Sequence, residues 1–173
     1  MASLSPKRFA KVLGVLCASA VLVGAGAFIG TSVAQATSSS GVNLQLKATG
    51  IVGEDAPTTI TSTSWTLIKS FSVPTNGASW STAIARFTAE TRCLGGGYCS
   101  VKIDFNGNAG LPNAQEDFTF DSPGGDWESH SVERFWNNGF QTQNGPTVAV
   151  YGRLVNGATS FRVDDWTLTV TVY

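Results

Sequence analysis

The C-terminal stretch of this chain, residues 160–173, constrains the fold more than any other part of the sequence. It reads SFRVDDWTLTVTVY, and from Trp166 onward apolar residues alternate with threonines. A repeat of two residues is typical of a β-strand with one buried face. Phe161 and Val163 also alternate, but on odd numbers, so the buried face changes parity at the pair Asp164-Asp165. Because a slip of one residue would turn every side chain over, we predict a β-bulge at the two aspartates.

The chain that precedes this stretch has the same β character. Short apolar runs are followed almost every time by a turn signal, and no amphipathic helical period is present, which is typical of an all-β fold. Uneven loops favour a two-sheet antiparallel sandwich of the jelly-roll type with about eight strands. An immunoglobulin-like fold is less suitable because the Cys-Trp-Cys spacing is missing. We predict strands at 42–51, 64–73, 80–91, 99–105, 118–120, 127–136, 147–155 and 160–173.

The first 36 residues have the pattern of a secretory signal peptide. Three basic residues precede an apolar run at residues 12–29, and Ala34-Gln35-Ala36 forms a small-residue cleavage site. An uncleaved membrane anchor is the alternative, since a run of this length could just span a bilayer. We predict cleavage after residue 36, a flexible leader at residues 37–41 and a single secreted β-sandwich domain at residues 42–173.

Charge narrows the classes of partner. Once Lys7, Arg8 and Lys11 are removed with the signal peptide, 8 of the 11 Lys and Arg residues remain against 12 Asp and Glu residues. An acidic chain is repelled by nucleic acid and by anionic membrane surfaces. We therefore expect no nucleic-acid partner, and no membrane contact after cleavage of the signal peptide.

Two cysteines, Cys93 and Cys99, remain in the exported chain that this pattern predicts. They bracket a glycine-rich segment at residues 94–98 between two strand-like runs. In an oxidising compartment, pairing is the default for such cysteines. A redox-active pair would need the C-x-x-C spacing, which is absent. We predict a structural disulfide that restrains the end of a hairpin.

Four short motifs lie in the second half of the chain: Trp-Glu-Ser-His-Ser at 127–131, Val-Ala-Val-Tyr at 148–151, Asn-Gly-Ala-Thr at 156–159 and Phe-Arg-Val-Asp-Asp-Trp at 161–166. Together they resemble the C-terminal half of small exported bacterial proteins of jelly-roll type. The resemblance implies a fold but no activity, because those proteins have no assigned activity to carry over. A second likeness, of architecture alone, is to carbohydrate-binding modules, whose variable binding residues allow no transfer of a site.

The sequence gives little support for catalysis by a nucleophile and a base or by a pair of carboxylates. His130 is the sole histidine, and the serines beside it point to the opposite face of a predicted strand. No G-x-S-x-G motif is present. Hydrolysis of a glycoside needs two carboxylates that face each other across a cleft, and we predict a non-catalytic protein with a small glycoside hydrolase as an alternative. The acidic candidates lie at loop edges or on outward strand positions: Glu116, Asp117, Asp126, Glu128, Glu133, Asp164 and Asp165.

The signals for a metal or a cofactor are weak. One histidine and two paired cysteines do not make a usual zinc ligand set. Asp104, Asn106 and Asn108 have the spacing that begins a calcium loop, but Ala109 stands where a glycine is expected and no glutamate closes the loop. A simple Asn-Gly turn is the competing interpretation. We predict neither a metal ion nor a cofactor.

The end of the predicted strand at 127–136 and the polar segment after it combine aromatic rings with several side-chain amides, a composition that suits sugar binding. Flat aromatic rings can stack on sugar rings, and side-chain amides can pair with sugar hydroxyls. In the alternative interpretation, the aromatic residues fold back and cover one end of the sandwich. The candidate ligand-binding residues are Trp136, Asn137, Asn138, Phe140, Gln141 and Asn144.

These patterns lead to one functional hypothesis and one alternative from a different class. The hypothesis is a secreted, non-catalytic binding module for a carbohydrate such as a cell-wall glycan. The alternative is an extracellular structural or adhesive protein that binds another protein or itself. Exposed aromatic residues beside a groove would favour the glycan, whereas a flat apolar face across several strands would favour the protein partner.

Overall fold

Two antiparallel β-sheets packed against each other form the protein, as expected from the sequence. The structure is a computed structural model that describes residues 44–112, 118–141 and 144–173. Within these residues the chain forms nine strands and no helix. The strands are β1 (Ala48–Glu54), β2 (Thr58–Ile60), β3 (Thr66–Ser72), β4 (Trp80–Gly95), β5 (Tyr98–Phe105), β6 (Asn108–Ala109), β7 (Glu128–Gln141), β8 (Thr147–Val155) and β9 (Ala158–Val172).

The strand order is that of a jelly roll. The first sheet has the order β1-β9-β4-β7, with β2 also paired to β9, and the second sheet has the order β3-β8-β5-β6. If the three-residue β2 is set aside, the first of the remaining strands pairs with the last, the second with the second-last, and so on inward. This nested pairing places sequence-distant strands side by side and is the arrangement of a jelly roll.

The core lies between the two sheets and is built by alternate residues of the long strands. On β9, the apolar residues from Trp166 to Val172 are buried, and the threonines between them face outward. The strand β8 follows the same rule, with Val148, Val150 and Leu154 buried. The small residues Ala83, Ala85 and Ala89 of β4 and the bulky rings Phe87, Phe105 and Phe161 are also buried between the sheets.

The predicted bulge in the C-terminal strand is confirmed. The register of β9 against β4 shifts between Thr88 and Glu90, so that two residues of β9 oppose one residue of β4. Asp165 has a φ of 42°, which is the left-handed conformation. Because of the extra residue, Val163 and Trp166 are both buried although their numbers differ in parity.

Several strand boundaries differ from the predictions. The predicted strand at 42–51 is β1, which begins only at Ala48, and the connection after it contains β2, which the sequence did not indicate. The edge of β9 explains this interruption: β1 ends opposite Trp166 and β2 begins opposite Val163, on the two sides of the bulge. The short β6 was missed as well.

The predicted strand at residues 118–120 is wrong. This segment instead lies along β5, where the backbone N–H groups of Phe120 and Asp121 both donate to the carbonyl of Cys99. Its backbone pairs with the sheets through isolated bridges at Asp121 and Pro123, and the Ser100 hydroxyl donates to the carbonyl of Phe118. The alternation of Phe118 and Phe120 therefore reflects packing beside the sandwich rather than membership of a sheet.

The predicted disulfide is present between Cys93 and Cys99, with an S–S distance of 2.06 Å. It links the end of β4 to the start of β5 across the glycine-rich turn, as the hairpin interpretation expected. The turn packs closely: a Cβ added to Gly97 would overlap the carbonyl oxygen of Val155. A glycine is therefore required at this position, whereas Gly96 faces open space.

Leu44–Tyr173 form one compact unit. The predicted signal peptide at residues 1–36 and the leader at 37–41 lie outside the described residues. Nowhere in the part of the chain that the structure describes is there a helix of the length and hydropathy that crossing a membrane requires.

Candidate functional site

The outer face of the first sheet contains a shallow depression with a volume of about 290 Å³. It extends over β9, β4 and β7, whose pairing sets Arg86 opposite Glu133 on one side and Thr169 on the other. These side chains point to solvent because alternate residues of the same strands point into the core. The depression is lined by Ile84, Arg86, Glu133, Thr169, Thr171 and Tyr173.

A guanidinium and a carboxylate lie side by side in this depression. Arg86 donates from Nε and Nη2 to Oε2 of Glu133, at 3.0 and 2.8 Å. The side chains are 63 % and 49 % exposed, and a pair so exposed to water adds little to folding stability. Oε1 of Glu133 has no hydrogen-bond partner among the described residues, so the pair presents both donors and an acceptor to a ligand.

The other lining residues complete a polar surface with one aromatic side. Thr169 and Thr171 follow each other on the outer face of β9, and each adds a hydroxyl that can donate or accept. The ring of Tyr173 is half-buried beside them, and its backbone is held by hydrogen bonds with Thr82. A concave surface with a few convergent polar groups and an aromatic ring has the composition of a small-molecule site.

Sequence reasoning did not find this depression, because its residues come from three strands that are distant in the chain. Glu133 was considered only as one of several scattered acids, and Arg86 and Tyr173 not at all. Alternation along β4, β7 and β9 predicts that these residues face outward. Which outward residues become neighbours depends on the register between strands, which no local pattern contains.

The ligand-binding segment predicted from the sequence is not assembled as expected. Trp136 is only 8 % exposed, and its ring packs against Trp80 and Phe105 at centroid distances of 5.4 and 6.4 Å. The prediction that Trp136 stacks on a ligand is therefore wrong, and the alternative in which it covers the core is correct for this residue. The physical reason is that Trp136 occupies a core-facing position of β7.

The remaining residues of that segment are dispersed along β7 and beyond. The segment expected to be a loop is partly strand, since β7 continues to Gln141 and pairs Asn137 with Thr82. Asn137 and Asn144 are exposed. The side chains of Asn138 and Phe140 lie outside the described part of the structure.

The acidic residues proposed for glycoside hydrolysis do not meet in the depression as far as the structure describes them. Glu133 is the sole carboxylate among the described residues that line it. Asp164 and Asp165 belong to the bulge, where the N–H of Asp165 donates to Oδ1 of Asp164 at 3.1 Å. Asp126 is exposed before β7. Glu116 and Asp117 lie outside the described residues.

The candidate calcium loop is an Asn-Gly turn in this structure. Asn106 and Gly107 both have positive φ, of 50° and 80°, and connect β5 to β6. Oδ1 of Asn106 accepts a hydrogen bond from the backbone N–H of Thr147 at 2.9 Å. Asp104 is buried and paired with Lys102 at 2.7 Å. Asn106 and Asp104 thus each direct an oxygen to a protein partner, and Asn108 donates from Nδ2 to the carbonyl of Asn106, which agrees with the turn interpretation.

Ionisable side chains also occupy positions of β7 whose cross-strand partners are buried. Glu128 and His130 lie there with Asp121, and the ligand atoms of these three residues are within 4.8 Å of one another. Further along the strand, burial lowers the pKa of Arg134 from its usual value. The guanidinium of Arg134 packs over the ring of Phe118 at 4.7 Å. The sequence indicated neither arrangement, since Asp121 and Phe118 reach β7 only through the tertiary fold.

The second sheet has a different group of aromatic residues on its outer side. Nζ of Lys102 lies 4.7 Å from the centroid of the Tyr151 ring and 5.4 Å from that of Trp65. The guanidinium of Arg153 lies 4.5 Å from the Trp65 ring. These rings are therefore in contact with the cations of the protein itself. Tyr173, by comparison, has no cation over its ring among the described residues.

The fold and the depression define a jelly-roll β-sandwich with a small polar surface site. No protein-family model matches the chain, and a search of curated proteins finds no significant match. Function is therefore inferred from the geometry of the site.

Proposed function

We propose that this protein is an extracellular, non-catalytic binding module, and that a glycan binds in the depression on the first sheet. The observation that carries this proposal is the Arg86–Glu133 pair beside the hydroxyls of Thr169 and Thr171 and the ring of Tyr173. Two neighbouring hydroxyls of a sugar both donate and accept hydrogen bonds. A guanidinium and a carboxylate held together match that demand, and charged partners strengthen each bond.

The size and the openness of the site also suit a glycan. A volume of about 290 Å³ is at the small end of ligand pockets, which is enough for a sugar unit of a longer chain. Because the site lies on an open sheet face, a polysaccharide can enter and leave without a free end. The Tyr173 ring at one side provides an apolar surface for a sugar face.

The extracellular location is part of the same proposal. It is supported by the signal-peptide pattern of residues 1–36 and by the disulfide between Cys93 and Cys99. Disulfides persist mainly in oxidising compartments outside the cytosol. A module that binds glycans of a cell wall or of the surroundings would act in that location.

The depression supports binding more than hydrolysis. Glycosidases use two carboxyl groups on the two sides of the scissile bond, and among the described residues that line this depression Glu133 is the single carboxylate. The protein-binding alternative has less support from the same face. Its exposed apolar residues are interrupted, since threonines and the charged pair lie between Ile51 on β1 and the group that Phe135 forms with its strand neighbours Ile84 and Leu111.

The proposal is tested by measuring glycan binding to the purified protein. An array of neutral and acidic cell-wall oligosaccharides identifies a ligand, and calorimetry with that ligand measures the affinity. We expect Arg86→Ala and Tyr173→Ala each to weaken binding about tenfold or more, because each removes a direct contact. Incubation of the ligand with the wild-type protein should release no reducing ends.

The second sheet provides matched controls. Arg153→Ala and Tyr151→Ala make the same chemical changes on the opposite side of the sandwich, and we expect both to leave the affinity unchanged. Thermal melts of all four variants verify that each is folded. If only the Arg153 and Tyr151 variants lost binding, the binding site would lie on the second sheet and the proposal would be overturned. Absence of any glycan ligand on the array would also count against it.

A further inference from the structure

We propose that Asp121, Glu128 and His130 bind one divalent transition-metal ion, and that zinc suits this ligand set best. The site is independent of the depression, since it uses the core-facing side of β7 whereas Glu133 of the depression lies on the opposite side. The three ligand atoms lie within 4.8 Å of one another. Two carboxylates and one imidazole are all common ligands of zinc.

Two of the ligands occupy positions where the strand pattern calls for apolar residues. Glu128 and His130 pair across the sheet with Thr91 and Ala89, which are fully or almost fully buried. Val132, the next residue on this side of β7, is buried in the core. The His130 side chain is only 26 % exposed, so it loses part of its hydration there and needs a partner to offset the cost, whereas Glu128 at the start of the strand is 53 % exposed. The position of His130 therefore requires an explanation that alternation along the strand does not provide.

The third ligand is a buried carboxylate with an unused oxygen. The Asp121 side chain is only 2 % exposed, and its Oδ2 is buried with no hydrogen-bond partner among the described residues. Its Oδ1 is 3.7 Å from Nε2 of His130, which is too long for a hydrogen bond. Nε2 of His130 is also buried without a hydrogen bond, although it lies within ion-pair distance of Oε2 of Glu128 at 3.2 Å. An unpartnered buried oxygen such as Oδ2 of Asp121 is rare in native proteins, and a cation bound by the carboxylate would satisfy it.

Two of the three separations between donor atoms are close to those around a small ion with few ligands, and the third, between Asp121 and Glu128, is at most 4.8 Å. Donor atoms arranged tetrahedrally at zinc–ligand distances of roughly 2.0–2.2 Å lie about 3.3 Å apart. The Nε2 atom of His130 is 3.2 Å from Oε2 of Glu128 and 3.7 Å from Oδ1 of Asp121. Calcium fits less well, because it requires about 6–8 oxygen ligands and an imidazole nitrogen is a poor ligand for it.

The ligands are held by rigid parts of the fold. The backbone of Asp121 exchanges hydrogen bonds with Cys99 in both directions, at 2.9 and 3.1 Å, and Cys99 is itself fixed by the disulfide. Glu128 and His130 are fixed by the pairing of β7 with β4. The ion would thus connect the segment along β5 to the start of β7. Three protein ligands leave one coordination position for water.

The test is zinc binding to the full chain after treatment with a chelator and its removal. Calorimetry with zinc chloride should show one equivalent bound, and zinc should raise the melting temperature because it binds the folded state. His130→Asn and Glu128→Gln should each weaken zinc binding at least tenfold. Glu128 is half-exposed, so its variant should fold even if a substitution at the buried Asp121 does not. Calcium in large excess should not compete.

A charge-matched control separates this site from adventitious binding. Glu90→Gln removes a carboxylate from an exposed position of β4 and should leave zinc affinity unchanged. Cobalt(II) provides an independent readout, since its visible absorption should show a nitrogen ligand that is lost in His130→Asn. Absence of stoichiometric zinc binding by the wild-type chain, or equal affinity of the wild type and His130→Asn, would overturn the proposal.

Discussion

Val163 and Trp166 point into the same core although an odd number of positions separates them on one strand. Both side chains are almost completely buried. The intervening Asp165 has a φ of 42° and is the extra residue of a bulge opposite β4. In a regular strand, residues three apart would lie on opposite faces. The bulge therefore lets one long strand keep its apolar residues inward on both sides of the irregularity.

Trp166→Ala should destabilise the protein by about 3–5 kcal/mol, as is usual for a large buried aromatic residue. The indole ring lies 6.0 Å from the ring of Phe87 in the core, and its removal leaves a cavity. Thr169→Ala, on the outer face of the same strand, should cost less than about 1 kcal/mol. Urea denaturation of the two variants compares these values. Similar losses in both would mean that the two faces of β9 are equally buried.

The left-handed conformation of Asp165 should restrict which residues can replace it. Asp165→Val should destabilise the protein by roughly 1–2 kcal/mol, because a β-branched residue is strained at positive φ. Thr167→Val places the same side chain on the same exposed face at a regular strand position, and its effect should lie within about 0.5 kcal/mol. Thermal denaturation measures both. A stable Asp165→Val variant would argue against the bulge geometry.

Two adjacent glycines between the cysteines should respond differently to a methyl group. Gly97→Ala would bring Cβ against the backbone carbonyls of Val155 and Asn156, and we expect a loss of about 1–3 kcal/mol from this overpacking. Gly96→Ala meets no atom within 4 Å and should change stability little. Melting temperatures of the two variants, compared under identical conditions, decide this. Equal behaviour would show that the turn does not pack against the 156–157 hairpin.

Removal of the disulfide should weaken the fold without abolishing it. The bridge joins residues only 6 positions apart, and so short a loop restrains the unfolded chain by only about 2 kcal/mol. The Cys93→Ala/Cys99→Ala variant should therefore fold and melt at a lower temperature. Mass spectrometry of the oxidised wild-type protein should find one bridge and no alkylatable thiol at either position. Free thiols in that protein would contradict the pairing.

Much of the fold could be predicted from the sequence because strands and turns are specified by residues that are close together in the chain. Alternation of apolar and polar residues identified most of the strands, and the parity change at Asp164 and Asp165 located the bulge. The turn at Asn156-Gly157, where both residues have positive φ, also follows from residue type. Alternation did not predict the structure correctly at two places. It missed β2, which is only three residues long. It also predicted a strand at Phe118 and Phe120, which lie beside the sandwich rather than in a sheet.

The sequence by itself determined the all-β class, the sandwich, the disulfide and the inward face of the long strands, because each depends on residues close together in the chain. Only the tertiary structure decided which outward residues meet. Arg86 reaches Glu133 because β4 pairs with β7 in one particular register, and Asp121 reaches His130 because its segment is bonded to β5. The same pairing placed Trp136 in the core. Candidate sites depend on contacts between distant strands, and the energy that selects those contacts comes from packing the whole sandwich.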